Sequence, residues 1–221
     1  MSILDIIGPE MVGPSSSHTA GSLRLARIAR SLVEGTPARA RVSLHGSFAK
    51  TYRGHGTDRA VAAGLLGFAP DDPRIVAALH LARNEGLELS FEEAHLGANL
   101  HPNTLRIEAD RGEAAVDLWG SSVGGGFIHV FRLDGYPVSI GGEYHTLVVH
   151  ADDVPGTVAA ITRLFAERGE NLALMDVRRK RRGEEALMVL QYDEPLDEGA
   201  LAEIRGFPWL RSARPVPKLI E

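Results

Sequence analysis

The sequence predicts an α+β protein with two domains. In residues 1–143 the hydrophobic pattern changes from helical periodicity to strand alternation, and residues 144–221 follow a βαββαβ order. A glycine pair in the segment Ser139-Ile140-Gly141-Gly142-Glu143 interrupts the patterned sequence and marks the boundary. A chain of 221 residues is long enough for two domains that each bury a hydrophobic core.

The first part is expected to begin with helices and to end with strands, which is typical of the α+β class. Its predicted elements are a helix from an N-cap at Ser16 or Ser17 to about Val33, a strand around 42–44, a helix from Thr57 through 60–66, a helix from Pro73 to Gly86, and strands at 104–109, 113–119, 128–133 and 136–140. Gly35 is expected to end the first helix, and Val76 to lie on the apolar side of the third.

The second part follows a sharper pattern. Its predicted elements are a strand at 145–150, a helix at 157–168, strands at 172–179 and 186–192, a helix at 199–205 and a strand at 210–216. This order is the ferredoxin-like split motif. The basic run 178–182 is interpreted as a solvent-exposed hairpin tip, because one short run in an acidic chain is a poor nucleic-acid footprint.

The composition excludes several classes of protein. The chain has no cysteine, so it forms no disulfides and holds no Cys-ligated zinc or iron–sulfur cluster by itself. Its 24 Lys and Arg against 29 Asp and Glu give a formal net charge of −5, which provides no general basic field for nucleic acid. The N-terminus lacks a secretory signal pattern, and every apolar run is interrupted before membrane-spanning length. We therefore expect a cytoplasmic protein.

Two polar motifs stand at predicted helix starts. Residues 13–21 place Ser16, Ser17, His18 and Thr19 where free backbone N–H groups favour a carboxylate or phosphate, although ordinary helix capping would explain the serines alone. In residues 54–59, glycines on both sides leave room for the His55 imidazole, which can exchange a proton near neutral pH. A turn whose glycines serve only backbone geometry is the alternative for this second motif.

Two further motifs precede and follow a predicted strand. His101 and Asn103 lie beside Pro102, where the histidine either contacts a ligand or caps a turn. Ser122 leads into Gly124, Gly125 and Gly126, whose backbone can approach a ligand closely or form a flexible hairpin loop. No paired histidine spacing indicates a metal site in this chain. The stretch 46–50 only loosely resembles the pyridoxal phosphate lysine motif, because Ala49 breaks its spacing.

Together, these motifs resemble the β chain of bacterial iron–sulfur-dependent L-serine dehydratase. The matching stretches are 14–19, 54–58, 101–104 and 122–126, in that order, and residues from about 144 resemble an ACT regulatory domain. The resemblance implies a serine dehydratase β-type α+β domain at 1–143, an ACT domain at 144–221, and deamination of L-serine to pyruvate and ammonia. It also implies a four-iron, four-sulfur cluster whose cysteine ligands lie on a partner α chain.

The resemblance suggests a role for each motif. His55 is expected to be the general base, with His101 as a second catalytic residue that orients the substrate or steadies His55. The expected substrate-binding residues are Ser16, Ser17, His18, Thr19, Asn103, Ser122, Gly124, Gly125 and Gly126.

The ACT domain is expected to bind an amino-acid effector at Pro155, Gly156 and Asn171, where backbone donors at a helix start meet a polar side chain. It is also expected to pair with a second copy. The alternative to an enzyme is a non-catalytic amino-acid sensor, which needs an anion pocket but no base such as His55.

Overall fold

The computed structural model describes residues 10–220, and the chain divides into two compact units. The first unit extends to residue 135 and includes residues 139–141, whereas the second comprises residues 136–138 and 142–221. One sheet has six strands and the other has four, which confirms the α+β class. Within residues 10–220, no helix is both long enough and apolar enough to cross a membrane.

The helices of the first unit lie before and between its first two strands. In the described part they are α1 (Ser22–Leu32), α2 (Gly46–Thr51), α3 (Thr57–Leu66) and α4 (Ala78–Asn84), with a π-helical turn (Ser17–Gly21) leading into α1 and a 3-10 turn (Pro73–Ala77) leading into α4. Helix α1 is buried against α3 and the sheet. Two glycines allow this close packing, because a Cβ on Gly64 would overlap the Leu23 carbonyl and a Cβ on Gly120 would lie 2.5 Å from Leu25.

The six-stranded sheet has the order β2-β1-β3-β4-β5-β6. Its strands are β1 (Arg39–Leu44), β2 (Glu88–Glu93), β3 (Thr104–Arg111), β4 (Ala114–Gly124), β5 (Phe127–Leu133) and β6 (Tyr136–Ile140). Strands β1 and β2 are parallel, whereas β1 with β3, β3 with β4 and β4 with β5 are antiparallel. Val42 opposite Ile107 belongs to the buried face, and Arg41 opposite Glu108 belongs to the open one, as the two-residue period of strands requires.

The second unit has the predicted βαββαβ order. Its elements are β7 (His145–Asp152), α5 (Thr157–Glu167), β8 (Leu172–Arg179), β9 (Glu185–Tyr192), α6 (Glu198–Arg205) and β10 (Leu210–Val216). The sheet order is β10-β7-β9-β8. A core that includes Leu147, Ile161, Phe165 and Leu190 joins the helices to one face of this sheet. The ferredoxin-like prediction is confirmed, and the helix and strand bounds differ from the predicted ones by no more than two residues.

The structure corrects the sequence-based prediction of the first unit at four points. Helix α2 and strand β2 were not predicted. Ser16 has helical backbone angles and no side-chain cap, so it is not an N-cap. Val76 was expected to be buried but is 63% exposed, because a 3-10 turn precedes α4 and rotates this residue to the surface.

Candidate active site

Helix α2 connects segments from three of the four motifs. The Ser47 N–H donates to the Pro102 carbonyl at 2.8 Å, and the His55 N–H donates to the Thr51 carbonyl at 3.0 Å. Thr51 Oγ1 lies 3.1 Å from His18 Nε2. The fourth motif joins through Ser122, whose N–H donates to the Asn103 carbonyl at 2.9 Å. The motifs that are far apart in the sequence therefore form one connected cluster.

A left-handed glycine and a buried aromatic ring hold α2 in this position. Gly46 has φ of 59°, which residues with a side chain rarely adopt. A Cβ there would lie 2.7 Å from the Pro102 carbonyl oxygen, so only glycine allows this approach. Two residues later, Phe48 is fully buried and its ring contacts the edge of His18 at a centroid distance of 5.1 Å.

His18 is buried, and hydroxyl groups surround both of its ring nitrogens. Nδ1 lies 3.3 Å from Ser15 Oγ, and Nε2 lies 3.1 Å from Thr51 Oγ1 and 3.4 Å from Ser47 Oγ. Burial, and secondly the neighbouring His55, lower the pKa of His18 below its usual value. The imidazole of His18 is consequently neutral at neutral pH.

His55 faces the ring of His18. The two ring centroids are 4.6 Å apart and the planes are tilted by 45°. His55 Nδ1 is buried without a hydrogen-bond partner among the described residues. An unpartnered buried nitrogen destabilises a protein by about 1–3 kcal/mol, and a neutral imidazole has one nitrogen that accepts a proton. His55 Nδ1 is therefore free to form a hydrogen bond with a ligand.

The segment that contains His18 and leads into α1 is rich in hydroxyl groups. Ser15 caps the π-helical turn, because its Oγ accepts from the His18 N–H at 3.4 Å. Ser16 and Ser17 are half-buried, and Thr19 is 1% exposed with Oγ1 unpartnered. A π-helical turn widens the backbone, and such turns are frequent at functional sites.

The motif of His101 and Asn103 forms a turn next to α2. His101 is exposed, and its Nδ1 accepts from the Asn103 N–H at 3.1 Å. His101 therefore caps a turn, which is the alternative that the sequence left open, and its described contacts do not include His55. The Asn103 side chain is different, because its Oδ1 is buried without a partner.

The glycine motif forms a turn between β4 and β5. Gly124, Gly125 and Gly126 all have positive φ, of 110°, 58° and 84°, as a tight hairpin requires. Arg24 of α1 donates to the Gly126 carbonyl at 2.6 Å. Ser122, just before this turn, is fully buried with Oγ unpartnered and lies directly against Gly21 at the start of α1.

Comparison with known proteins gives the family. The model of the serine dehydratase beta chain matches residues 2–131, and the ACT domain model matches residues 145–208. The chain belongs to the serine dehydratase beta chain family. The "Probable L-serine dehydratase, beta chain" of Bacillus subtilis is 41% identical, over 94% of both chains. The "L-serine dehydratase, beta chain" of Peptoniphilus asaccharolyticus is 36% identical, over 96% of both.

A relative with a different name also matches. The "D-3-phosphoglycerate dehydrogenase" of Methanocaldococcus jannaschii is 25% identical over 91% of this chain, which corresponds to 38% of the relative. The two family models and the two L-serine dehydratase beta chains confirm the sequence-based recognition of a serine dehydratase β chain with an ACT domain.

In the second unit of this serine dehydratase β chain, Pro155 and Gly156 precede α5, whereas Asn171 follows it. Asn171 is next to Leu172, which pairs at the level of Tyr192 and His145, whereas Asp152 pairs with Glu185 at the other end of the sheet. The predicted proximity of Asn171 to the other two residues is therefore wrong within one chain. Pro155, Gly156 and Asn171 are all exposed. Gly156 has φ of 96° and precedes the first residue of α5. The preceding turn is anchored by Asp153, whose Oδ2 accepts from the Gly183 N–H at 2.8 Å and from Arg179 at 2.9 Å.

No group of metal ligands marks the motif cluster in the described part of this β chain. Among residues 10–220, no group of three or more His, Asp and Glu side chains is placed to hold a metal ion. A depression of about 730 Å³ lies on the open face of the six-stranded sheet and is lined by residues such as Arg39, Arg41 and Glu108. A second of about 680 Å³ borders α2 at Tyr52 and Arg53.

Sequence reasoning missed four polar residues of the cluster. Ser15, Ser47 and Thr51 contact His18, and Thr57 is fully buried with Oγ1 unpartnered next to the motif of His55. Ser15 and Thr57 stood inside the motifs and were passed over in favour of their neighbours. Ser47 and Thr51 lie on α2, and their one signal was a pair of hydroxyl residues spaced by four, which places both on the same side of a helix.

Proposed function

We propose that this chain is the β chain of an L-serine dehydratase and that, with an α chain, it converts L-serine to pyruvate and ammonia in the cytoplasm. Membership of the serine dehydratase beta chain family and the names of the two relatives that align over nearly the full chain support this activity. We assign residues 1–143 to the catalytic half and residues 144–221 to a regulatory ACT domain.

The unpartnered Nδ1 of His55 carries the proposal. Elimination begins when a base removes the proton from Cα of serine, and the Cβ–O bond then breaks to give water and aminoacrylate. Aminoacrylate tautomerises to the imine, and water hydrolyses the imine to pyruvate and ammonia. His55 takes up the Cα proton and returns it to the leaving oxygen or to solvent. A sensor that only binds an anion needs no such free nitrogen, so the structure favours an enzyme over the sensor.

The polar groups around His55 are proposed to hold the substrate. Unpartnered buried oxygens of Thr19, Asn103 and Ser122 remain free to bind the amino or carboxylate group. The start of the π-helical turn adds backbone N–H groups, which favour a carboxylate. His101 is proposed to shape the turn that carries Asn103, and His18 is proposed to contact His55. The proposed substrate-binding residues are Ser16, Ser17, Thr19, Asn103, Ser122, Gly124, Gly125 and Gly126.

The residues of this chain do not fit an iron–sulfur cluster. The sequence has no cysteine, and residues 10–220 contain no cluster of other metal ligands. The four-iron, four-sulfur cluster expected for this family is therefore proposed to be bound by the α chain. The residues of this chain bind serine and move its proton.

The ACT domain is proposed to bind an amino acid at the start of α5, with its carboxylate near Pro155 and Gly156. Asn171 of the same chain lies at the other end of the sheet and is not part of this proposed site. The ion pair and hydrogen bond of Asp153 fix this turn. Strand β8 lies at the edge of the four-stranded sheet and exposes Leu174 and Val177. Because an edge strand pairs readily with another strand, we propose that two ACT domains associate at this edge.

The experiment that tests the proposed base is His55→Ala in the reconstituted αβ complex, with pyruvate formation from L-serine as the readout. We expect turnover to fall by at least about 10²-fold, the contribution of a general base, while the absorbance of the cluster is retained. His80→Ala is the matched control, because His80 is an exposed histidine on α4 that bonds Asn84. Near wild-type turnover of His55→Ala would remove His55 from the mechanism.

A further inference from the structure

The hydroxyl of Thr51 has only one proton and lies within hydrogen-bond distance of two groups. Thr51 Oγ1 donates to the Ser47 carbonyl one helical turn earlier, at 2.8 Å. The same oxygen lies 3.1 Å from His18 Nε2. A hydroxyl has one donor and two acceptor positions. When its proton goes to the Ser47 carbonyl, the nearer of the two partners, Thr51 accepts at its contact with His18 and His18 Nε2 carries the proton.

The other ring nitrogen of His18 agrees with this assignment. If Nε2 is protonated, then Nδ1 of the neutral ring is an acceptor. Ser15 Oγ lies 3.3 Å from Nδ1 and also accepts from the His18 N–H at 3.4 Å. Its proton is thus free to donate to Nδ1. The two hydroxyls, one on each side of the ring, define one tautomer and one orientation of His18.

We propose that Thr51 is a positioning residue for the histidine pair: its hydroxyl accepts from His18 Nε2–H and holds the His18 ring in one tautomer against His55. The role in catalysis rests on the proposed function, because it acts through His55. The tautomer itself does not depend on that function. Ser47, whose Oγ is 3.4 Å from Nε2, is a weaker second acceptor.

The held ring affects His55 in two ways. The contact between the rings, at a centroid distance of 4.6 Å, limits the orientations that His55 can adopt. A neutral His18 also places no positive charge beside His55. The groups that face His18 are Ser15, Ser47, Thr51, Phe48 and His55.

The first test is the tautomer of His18 in the full chain, read from the imidazole ¹⁵N shifts at neutral pH, with His18→Gln used to assign the signals. We expect Nε2–H in the wild type and in Thr51→Ser, and a mixture with Nδ1–H in Thr51→Val. Thr162→Val is the matched control, because Thr162 on α5 makes the same hydrogen bond to a carbonyl four residues earlier but lies in the other unit. An Nδ1–H tautomer in the wild type, or an unchanged tautomer in Thr51→Val, would overturn the proposal.

The second test is the steady-state kinetics of the αβ complex with L-serine. Misplacement of a catalytic group by about 1 Å lowers rates by up to about 10²-fold, so we expect kcat of Thr51→Val to fall by about tenfold or more. We expect KM to change by less than about twofold, since Thr51 is not proposed to touch serine, and Thr51→Ser to restore kcat. Equal losses in Thr51→Ser and Thr51→Val would contradict a role of the hydroxyl. If the wild-type complex released no pyruvate, the proposed function would fail, and the tautomer measurement would still decide the assignment of Thr51.

Discussion

The close contact between Gly21 and Ser122 gives a quantitative prediction for Gly21→Ala. Gly21 has φ of −64° and ψ of −48°, which alanine adopts easily, and helix propensity alone would favour alanine by up to about 1 kcal/mol. However, the new Cβ would lie 2.6 Å from Ser122 Cβ, against about 3.5–4.0 Å for carbon atoms in contact. Relief of this overlap requires a shift of about 1 Å, and overpacking of this kind destabilises by about 1–3 kcal/mol. We expect the free energy of unfolding to fall by about 1–2 kcal/mol.

A double-mutant cycle with Ser122→Gly tests whether this contact is the cause. The Ser122 Cα would be 3.6 Å from the new Cβ, an ordinary contact, so alanine at position 21 fits once the serine side chain is removed. Urea denaturation of the four variants should give a favourable coupling of about 1 kcal/mol or more, within the range for residues in contact. Gly54→Ala is the control, since its Cβ would meet only the Thr51 carbonyl at 3.7 Å. Additive effects of Gly21→Ala and Ser122→Gly would refute the packing of the first motif against the fourth.

Three further predictions concern the second unit. The Gly183 N–H and Arg179 lower the pKa of Asp153. The stability that this carboxylate contributes is present above its unfolded pKa and is lost as the pH falls through its folded pKa. Asp153→Asn should therefore flatten the loss of stability below about pH 4. Gly156→Ala should destabilise by about 1–2 kcal/mol in urea denaturation, because φ is 96° and no atom lies within 4 Å of the added Cβ, which leaves backbone strain as the cause. Burial raises the pKa of Tyr192 to about 12, so absorbance at about 295 nm should show this tyrosine ionising about two pH units above a free one. The free energy of unfolding should fall as the pH rises from the pKa of a free tyrosine to that of Tyr192. A spectrum of Tyr192→Phe that differs from wild type near pH 10 would contradict this.

The fold of the second unit was predictable because each of its elements has a local signal. Helix α5 carries buried Ile161 and Phe165 at a helical spacing and is followed by Gly169 with φ of 71°. Strand β9 contains the continuous apolar run 186–190, and strand β7 contains the shorter apolar run 147–149. Such patterns indicate element type and bounds without knowledge of tertiary contacts.

The two missed elements lack such a signal. Strand β2 has three glutamates among its six residues, which are unfavourable in strands, and forms through parallel pairing with β1. Helix α2 is six residues long and begins at a glycine with left-handed φ. Its stability comes from burial of Phe48 and from the Pro102 carbonyl, which are tertiary contacts.

The missed helix also explains which part of the candidate site could not be predicted. The four motifs were recognisable by composition, since hydroxyl groups, glycines and histidines stand at helix starts and turns, and the structure brings them into one cluster. The contacts of Ser47 and Thr51 with His18 depend on where α2 packs. The periodicity of the sequence does not predict that position. The same holds for His101, whose role in a turn follows from one hydrogen bond to the Asn103 backbone.

The measurement that tests the central claim most directly is pyruvate formation from L-serine after anaerobic co-expression of this chain with a cysteine-bearing α chain. A serine dehydratase β chain without cysteines of its own should co-purify with the α chain as a brown complex that deaminates L-serine. The same chain purified alone should be colourless and should form no pyruvate. A complex with intact cluster absorbance that forms no pyruvate, or full activity of this chain alone, would contradict the account.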